Sequence, residues 1–443
     1  MIRSSLWGGG SMKWYYAAIL LLMAFLYRLF FGLFSEFWFE DELQIYLIGL
    51  HFYSSGAVPA FGPDVVYTSS QIPGALQGLL VGLPFYIWPA PEAPYILLNL
   101  LNSTALCLFA AYIVKRFPQI PAWFIWGWLL TCPWTLNFGT HVLNPSYVLP
   151  AAIAFFVGFI EALPATSSGR LKSGTCFFMM GISLLWIFQL HLSWVLLVPF
   201  VATAWIMNGR SDLKKLFYNA LIFITGCLIP GILLLPALLQ EGWSGFTGGT
   251  GGNMILNWKN LLEFPTVLSR FLSLASMEIP RFMGADTNSR LDFLNQYIWA
   301  APFIIVAGII GLVQPLWMIV SAFLKQKRQG FRPILLITAI AFLWVWMSFL
   351  FSVKGPSSHT FYLMFPLVMI YSLYCWQPLF RKKWFRVLAL VFLICGFVFH
   401  SVLMQYNFNA KSLYRDRERV QHSITTKQPA ELGTRRAFDR NQP

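Results

Sequence analysis

Twelve apolar stretches dominate this chain of 443 residues, each sixteen residues or longer. They are 14–34, 71–88, 95–114, 121–138, 145–163, 175–190, 192–207, 216–239, 297–322, 333–352, 360–378 and 386–404. A helix needs about 20 apolar residues to cross the hydrocarbon of a bilayer. Inside lipid every backbone N–H and C=O must find a partner within the protein, so runs of this kind become helices. The chain therefore reads as an all-α integral membrane protein. Only 11% of its residues are charged, against about 25% in a soluble domain. The run 14–34 is too long for the apolar core of a signal peptide, and no small-residue cleavage site follows it. It is expected to remain as the first helix, behind a cytosolic tip at 1–13.

The formal net charge is +14. Positive loops that hold a multi-spanning protein in its orientation explain this better than nucleic acid does. The basic clusters are Arg3/Lys13, Lys115/Arg116, Arg170/Lys172, Arg210/Lys214/Lys215, Lys325/Lys327/Arg328/Arg332 and Arg381/Lys382/Lys383/Arg386. If every run crosses, the first cluster lies inside and all later ones outside. If 71–88 does not cross, every cluster falls inside. Pro73, Gly74, Gly78, Gly82 and Pro84 make 71–88 a poor straight span. It is expected as a re-entrant or juxtamembrane helix, leaving about eleven crossings.

The chain then divides into a membrane module over 14–239 with an external loop at 35–70, an external flap at 240–296, further membrane helices over 297–404, and a basic tail over 405–443. The tail falls outside, against the charge rule, and is expected to be partly disordered. The six cysteines all lie in apolar runs without a C-x-x-C pair, and read as small buried hydrophobes. No internal repeat is evident.

The unusual residues collect on the outer side. Glu40, Asp41 and Glu42 follow the first span beside Phe37, Trp38 and Phe39. Carboxylates crowded at a membrane edge hold protons more tightly, which suits one of them to act as a general base. The alternatives are a solvated interfacial loop, a helix cap, or a divalent-cation site. His141 and Asn144 stand in "FGTHVLNPSYVLP" at a second outer helix mouth, where they line a polar pocket or an ordinary turn. His191, with Gln189 and Ser193, interrupts a nearly continuous apolar region and faces either a cavity or a neighbouring helix. Lys354 and His359 flank "KGPSSH" at the start of another helix. A lysine beside free helix N–H groups is suited to phosphate; a snorkelling lysine is the alternative. Tyr46 and Asp64, from the same external segment as the acids, join the candidates. Arg28, inside the first span, is a second possible cation. The run "GFTGGTGGN" opens the long loop and reads as a mobile flap. It is no phosphate-binding P-loop, and no metal or hydrolase motif occurs anywhere.

An apolar first helix, then "EDELQIY", then a proline-containing helix and many spans resembles the GT-C membrane glycosyltransferases. Within them it is similar to glycosyltransferase family 39, which includes protein O-mannosyltransferases and lipid A aminoarabinose transferases. The resemblance covers roughly residues 14 to 380 and implies a GT-C type polytopic helix bundle. It implies Asp41 as catalytic base with Glu42 beside it, and a polyprenyl-phosphate sugar as donor. The family's second external aspartate has no counterpart in "THVLNPS", where His141 or Asn144 is the candidate replacement. The run "HTFYLMFPLVMI" resembles the family's late helix near the donor phosphate. Trp38, Trp243 and Tyr362 are candidate sugar-stacking groups. The implied setting is the outer side of a bacterial plasma membrane, the acceptor a glycan, lipid or protein, with no cofactor. Two other readings stand beside it: an O-antigen polymerase or ligase using Arg270, Arg281 or Arg290, and a transporter or lipid flippase.

Overall fold

The computed structural model describes residues 14–35, 40–65, 70–209, 212–242, 256–324, 330–353, 355–411 and 416–432. The side chains of Glu40, Asp41 and Glu42 lie outside that description. The described chain is a helical bundle with one small hairpin. The first helices are α1 (Trp14–Ser35), α2 (Glu40–Ser55), α3 (Leu76–Ile87), α4 (Ala93–Arg116), α5 (Ala122–Thr131), α6 (Pro133–Asn137), α7 (Leu149–Ala162), α8 (Ser173–Phe188), α9 (Val198–Gly209), α10 (Leu213–Gly231) and α11 (Leu235–Glu241). They are followed by α12 (Phe264–Leu272), α13 (Ile279–Met283), α14 (Thr287–Gln296), α15 (Ala301–Phe323), α16 (Phe331–Ser348), α17 (Phe365–Trp376), α18 (Lys383–Lys411) and α19 (Arg417–Thr426). Among the described residues seven stretches are long and apolar enough to cross a membrane, which makes this a multi-pass membrane bundle in outline.

Burial sorts the spans. Every residue of α17 is buried, and α7 nearly so. Helices apolar on all sides and enclosed by others form the centre of such a bundle. In contrast α1, α10, α15 and α18 leave Leu22, Met23, Leu228, Leu316 and Val387 exposed, the wall that faces lipid. Where α8 crosses α10 the backbones nearly touch. A Cβ on Gly181 would stand 2.1 Å from the Phe223 carbonyl, and one on Gly226 2.4 Å from that of Phe178. Small residues permit this approach in membranes.

Prolines set the helix starts. Short 3-10 segments at Asn144–Val148, Leu192–Leu197 and Ser358–Met364 lead into α7, α9 and α17. Pro150, Pro199 and Pro366 then stand in the first α-helical turn, where the missing N–H costs nothing. Pro133 acts differently and breaks one apolar run into α5 and α6 at an extended Cys132. Arg28 Nη1 and Nη2 donate to the Leu130 and Thr135 carbonyls near this break, at 2.8 and 2.9 Å. The expected single helix over 121–138 is therefore two.

Strands β1 (Phe61–Val65) and β2 (Ser70–Pro73) pair antiparallel, with Asp64 opposite Gln71. They correct the all-helical expectation in detail: the segment before α3 is polar and proline-bounded. Helix α3 holds 12 residues, about 18 Å of rise, which is short of a hydrocarbon core about 30 Å thick. It lies along α2, with Gly49 and Gly82 in close approach, and exposes Leu83, Tyr86, Ile87 and Trp88. Its length suits a juxtamembrane helix. A Pro89→Cys chain should react with an impermeant thiol reagent on the outer side; labelling only from the cytosolic side would make α3 a crossing.

Two expectations change. Most of the described part of the 240–296 flap, 256–296, is packed helix rather than a mobile loop. Phe264, Val267 and Phe271 fall on one face of α12 and join the core, and Asn260 Nδ2 donates to the Phe349 carbonyl at 2.9 Å. The tail likewise forms a docked helix over part of its length. Val420 and Ile424 are buried, and Arg417 Nε reaches Glu92 Oε1 at 2.6 Å.

Candidate functional site

Arg116, Arg170 and Arg381, from three of the basic clusters, and the described candidates His141, Asn144, His191 and His359 occupy opposite ends of the bundle. At one end Arg116 donates to the Thr166 carbonyl and the Tyr374 hydroxyl, while Arg170 reaches the Lys115 carbonyl and Arg381 reaches Gln119. The other end carries α2, the hairpin and the three proline-led helix starts.

His141 lies on the turn that follows α6. Its Nε2 is 2.8 Å from Ser35 Oγ, and its ring stacks on Phe31 with centroids 6.0 Å apart. Asn102, from within α4, holds this turn by donating to the Gly139 and Ser146 carbonyls at 2.7 and 3.0 Å. Asn144 opens the adjoining 3-10 turn and is half-buried. His191 Nδ1 accepts from the Ser193 N–H at 3.2 Å, capping the next helix start. His359 Nδ1 is 2.8 Å from Ser357 Oγ. The 3-10 turn at Ser358–Met364 packs against both other turns, so His141, Asn144, His191 and His359 gather at one mouth. Phe138 lies between them, 6.2 Å from the His359 ring and 6.0 Å from Tyr362.

The imidazoles of His141 and His191 are neutral. Burial pushes His141 down to about 4, and pushes His191 down to about 3 with some help from His359 nearby. They serve as hydrogen-bonding groups rather than as cations. The unfolded chain takes up protons on them below about pH 6.5, while the native chain resists. Native stability is therefore full above about pH 6.5 and falls through the window between about 6.5 and 3. Thermal midpoints in detergent should drop as pH falls through this window, and less so for a His141→Gln/His191→Gln chain. An equal drop in both would remove these histidines as the cause.

Other candidates are placed differently. Tyr46 is 1% exposed and donates to the Pro91 carbonyl at 2.8 Å. It fixes α2 to the turn before α4 and is a packing residue, not a substrate contact. Tyr362 is 1% exposed among Trp134, Phe138 and Phe365. Its ring is enclosed and offers no face for a sugar. Asp64 is half-buried on β1, and its Oδ1 accepts from Gln71 Nε2 at 2.8 Å across the hairpin. Arg290 donates to the Gly284 and Ala285 carbonyls of its own turn. Lys354, Trp38, Trp243 and the glycine run 245–253 lie outside the described residues. Glu40, Asp41 and Glu42 stand in the first turn of α2.

In the sequence Glu278 stands only among the acids that balance the basic residues of the 240–296 loop, with no site role. It is 3% exposed, with Arg270 Nε 2.8 Å and Arg281 Nη1 3.6 Å from its Oε1. Ser358 Oγ donates to its Oε2 at 2.5 Å, and Arg270 Nη1 donates to the Pro356 carbonyl. Just before it Leu274 and Ala275 take φ of 52° and 66°, left-handed values that cost about 1–3 kcal/mol each for residues with a Cβ. The one signal in sequence is an acid set between Met277 and Ile279 in an apolar run. Among the described residues no three metal-ligating side chains converge. Neither a protein-family model, nor a curated protein, nor a solved structure matches this chain.

Proposed function

We propose that the protein is a membrane glycosyltransferase with about eleven crossings. It moves a sugar from a polyprenyl-phosphate donor to a glycolipid, polysaccharide or protein acceptor on the outer side of a bacterial plasma membrane. The observation that carries this reading is the separation of charge along the bundle. Basic clusters lie at one end. Clustered acids, polar side chains and helix starts lie at the other. The positive-inside rule puts the second end outside, where no nucleotide sugar is supplied and a lipid carrier must bring the donor.

Asp41 takes the proton of the acceptor hydroxyl, with Glu42 beside it. The freed oxygen attacks the anomeric carbon, the bond from that carbon to the phosphate oxygen breaks, and the phosphate leaves with the electron pair. Direct displacement inverts the centre. A phosphate leaving group needs no general acid, so one carboxylate suffices where glycosidases use two. Lys354 and the helix start at Ser358 stabilise the charge as it develops. Asn144, His359 and the neutral His141 and His191 are suited to bind sugar hydroxyls.

Purified protein in lipid nanodiscs, given a labelled polyprenyl-phosphate hexose and an envelope glycolipid extract, should release polyprenyl phosphate as label appears in the acceptor. One observation favours a second reading. Arg28 is fully buried within the first span, its hydrogen bonds among the described residues going to carbonyls beside a broken helix, and such features also mark transporters. Passage of labelled substrate across proteoliposomes without any transfer would decide for transport.

A further inference from the structure

We infer that the C-terminal helix α19 is a detachable strap that positions α2. Arg417, acting through Glu92, and Lys427, lying on Tyr53, hold α2 in place, and their release loosens α2 without unfolding the membrane bundle. The consequence for transfer rests on the proposed reading, because α2 carries Asp41.

Helix α19 has 10 residues, and Val420 and Ile424 are its apolar ones. A helix of that length is marginal in water on its own, so docking supplies its order. Val420 and Ile424, one turn apart, are fully buried, and Leu432 is buried after them. Leu432 ends the 3-10 segment Pro429–Leu432, and its carbonyl accepts from Arg419 Nη2 at 2.9 Å. That segment lies on α2. The elements that pack most on α2 are α3, β1 and this part of the tail, so one main support of α2 comes from the far end of the chain.

The polar contacts converge on the turn that joins α3 to α4. Arg417 Nε and Nη2 donate to Glu92 Oε1 and Oε2 at 2.6 and 3.3 Å, the forked geometry that makes a guanidinium–carboxylate pair strong. Gln421 Nε2 donates to the Pro89 carbonyl at 2.8 Å. From α2, Tyr46 donates to the Pro91 carbonyl of the same turn at 2.8 Å. Arg417 thus acts on α2 through a turn that both helices share. A second line is direct: Lys427 Nζ stands 4.9 Å from the centre of the Tyr53 ring on α2, within cation–π range.

The backbone at Lys427 supports this role. The residue follows α19 with φ 56° and ψ 35°, in the left-handed region. Its N–H reaches the Ile424 carbonyl and the Gln428 N–H reaches the Ser423 carbonyl, a helix ending in which glycine is usual. A residue with a Cβ is strained there, and a lysine there places a cation on Tyr53. Arg417 is 37% exposed, so salt reaches the ion pair and weakens it.

The test is hydrogen exchange of the full chain in lipid nanodiscs, read by mass spectrometry on peptides from α2, from 416–432 and from α7 and α17. Arg417→Ala should speed exchange in 416–432 and in α2 by about 10- to 100-fold, the usual worth of a hydrogen bond to a charged group. Exchange in α7 and α17 should stay as in the parent, and Arg417→Lys should recover part of the protection. Val420→Asp/Ile424→Asp forces the tail off by its apolar side and should speed α2 as well. Fast exchange of 416–432 with α2 unchanged would overturn the strap, as would tail exchange no faster in either variant, or equal acceleration in α7 and α17. Transfer separates the strap from the reading it bears on. In Arg417→Ala, kcat for the labelled donor should fall while its KM holds. A loosened α2 with unchanged kcat would uphold the strap and remove Asp41 from the reaction; a parent chain that transfers no sugar would remove the transferase reading and leave the exchange result standing.

Discussion

An Asp41→Asn chain is expected to insert and fold like the parent and to lose sugar transfer by about 10²- to 10⁴-fold, the usual contribution of a positioned general base. Asparagine matches aspartate in size and serves equally well near a helix start, so the first turn of α2, which begins at Glu40, should survive. What disappears is the ability to accept the acceptor's proton. Glu42→Gln should cost less, since Glu42 shapes the field around the base without taking the proton. Turnover of the labelled donor, measured beside size-exclusion profiles of the solubilised chain, checks both variants. Full turnover in well-folded Asp41→Asn would end the role of Asp41 and leave the α2 acids as ordinary first-turn residues.

The second large effect falls at the opposite end of the bundle and concerns stability. Glu161 accepts from the Tyr112 hydroxyl at 2.7 Å, from Ser168 Oγ at 2.6 Å and from Arg116 Nη1 at 3.3 Å. Arg116 is 6% exposed and Glu161 is enclosed. The pair fastens α4 to α7, and through Thr166 and Tyr374 it holds the following loop and α17. Glu161→Ala leaves Arg116 buried and uncompensated, which costs about 3–5 kcal/mol. Arg116→Met/Glu161→Leu removes both charges and should recover most of the loss, because apolar replacement of a whole buried pair is often neutral. Thermal unfolding in detergent reads both. A Glu161→Ala midpoint equal to the parent's would show that the pair carries no stability, and a double variant as weak as the single would point to lost packing instead.

Much of the helical order could be read from hydropathy because lipid permits few backbone solutions. The proline-led starts at Asn144 and Ser358 were legible for the same reason. So was the short helix within 71–88, which runs only from Leu76 to Ile87, since prolines and glycines shorten any helix there. The break at Cys132 was less so: Pro133 reads alike as a helix start and as an interruption, and Arg28 with its carbonyl partners is more than 100 positions away. Tertiary position also decided the tyrosines. Tyr46 and Tyr362 have the right chemistry for a sugar site, yet Pro91 and Trp134 enclose them. Glu278 was hidden because its partners Arg270 and Ser358 lie 8 and 80 positions away. The hairpin and the docked tail escaped because their stabilising contacts are with other segments: Val420 and Ile424 are two residues in a polar stretch until α2 and Glu92 are beside them.

The most direct test of transfer is mass spectrometry of envelope glycans and glycolipids from cells lacking this gene, complemented with the parent chain or with Asp41→Asn. The account predicts that one sugar disappears, returns with the parent and stays absent with Asp41→Asn. An unchanged glycan profile, or rescue by Asp41→Asn, would contradict it.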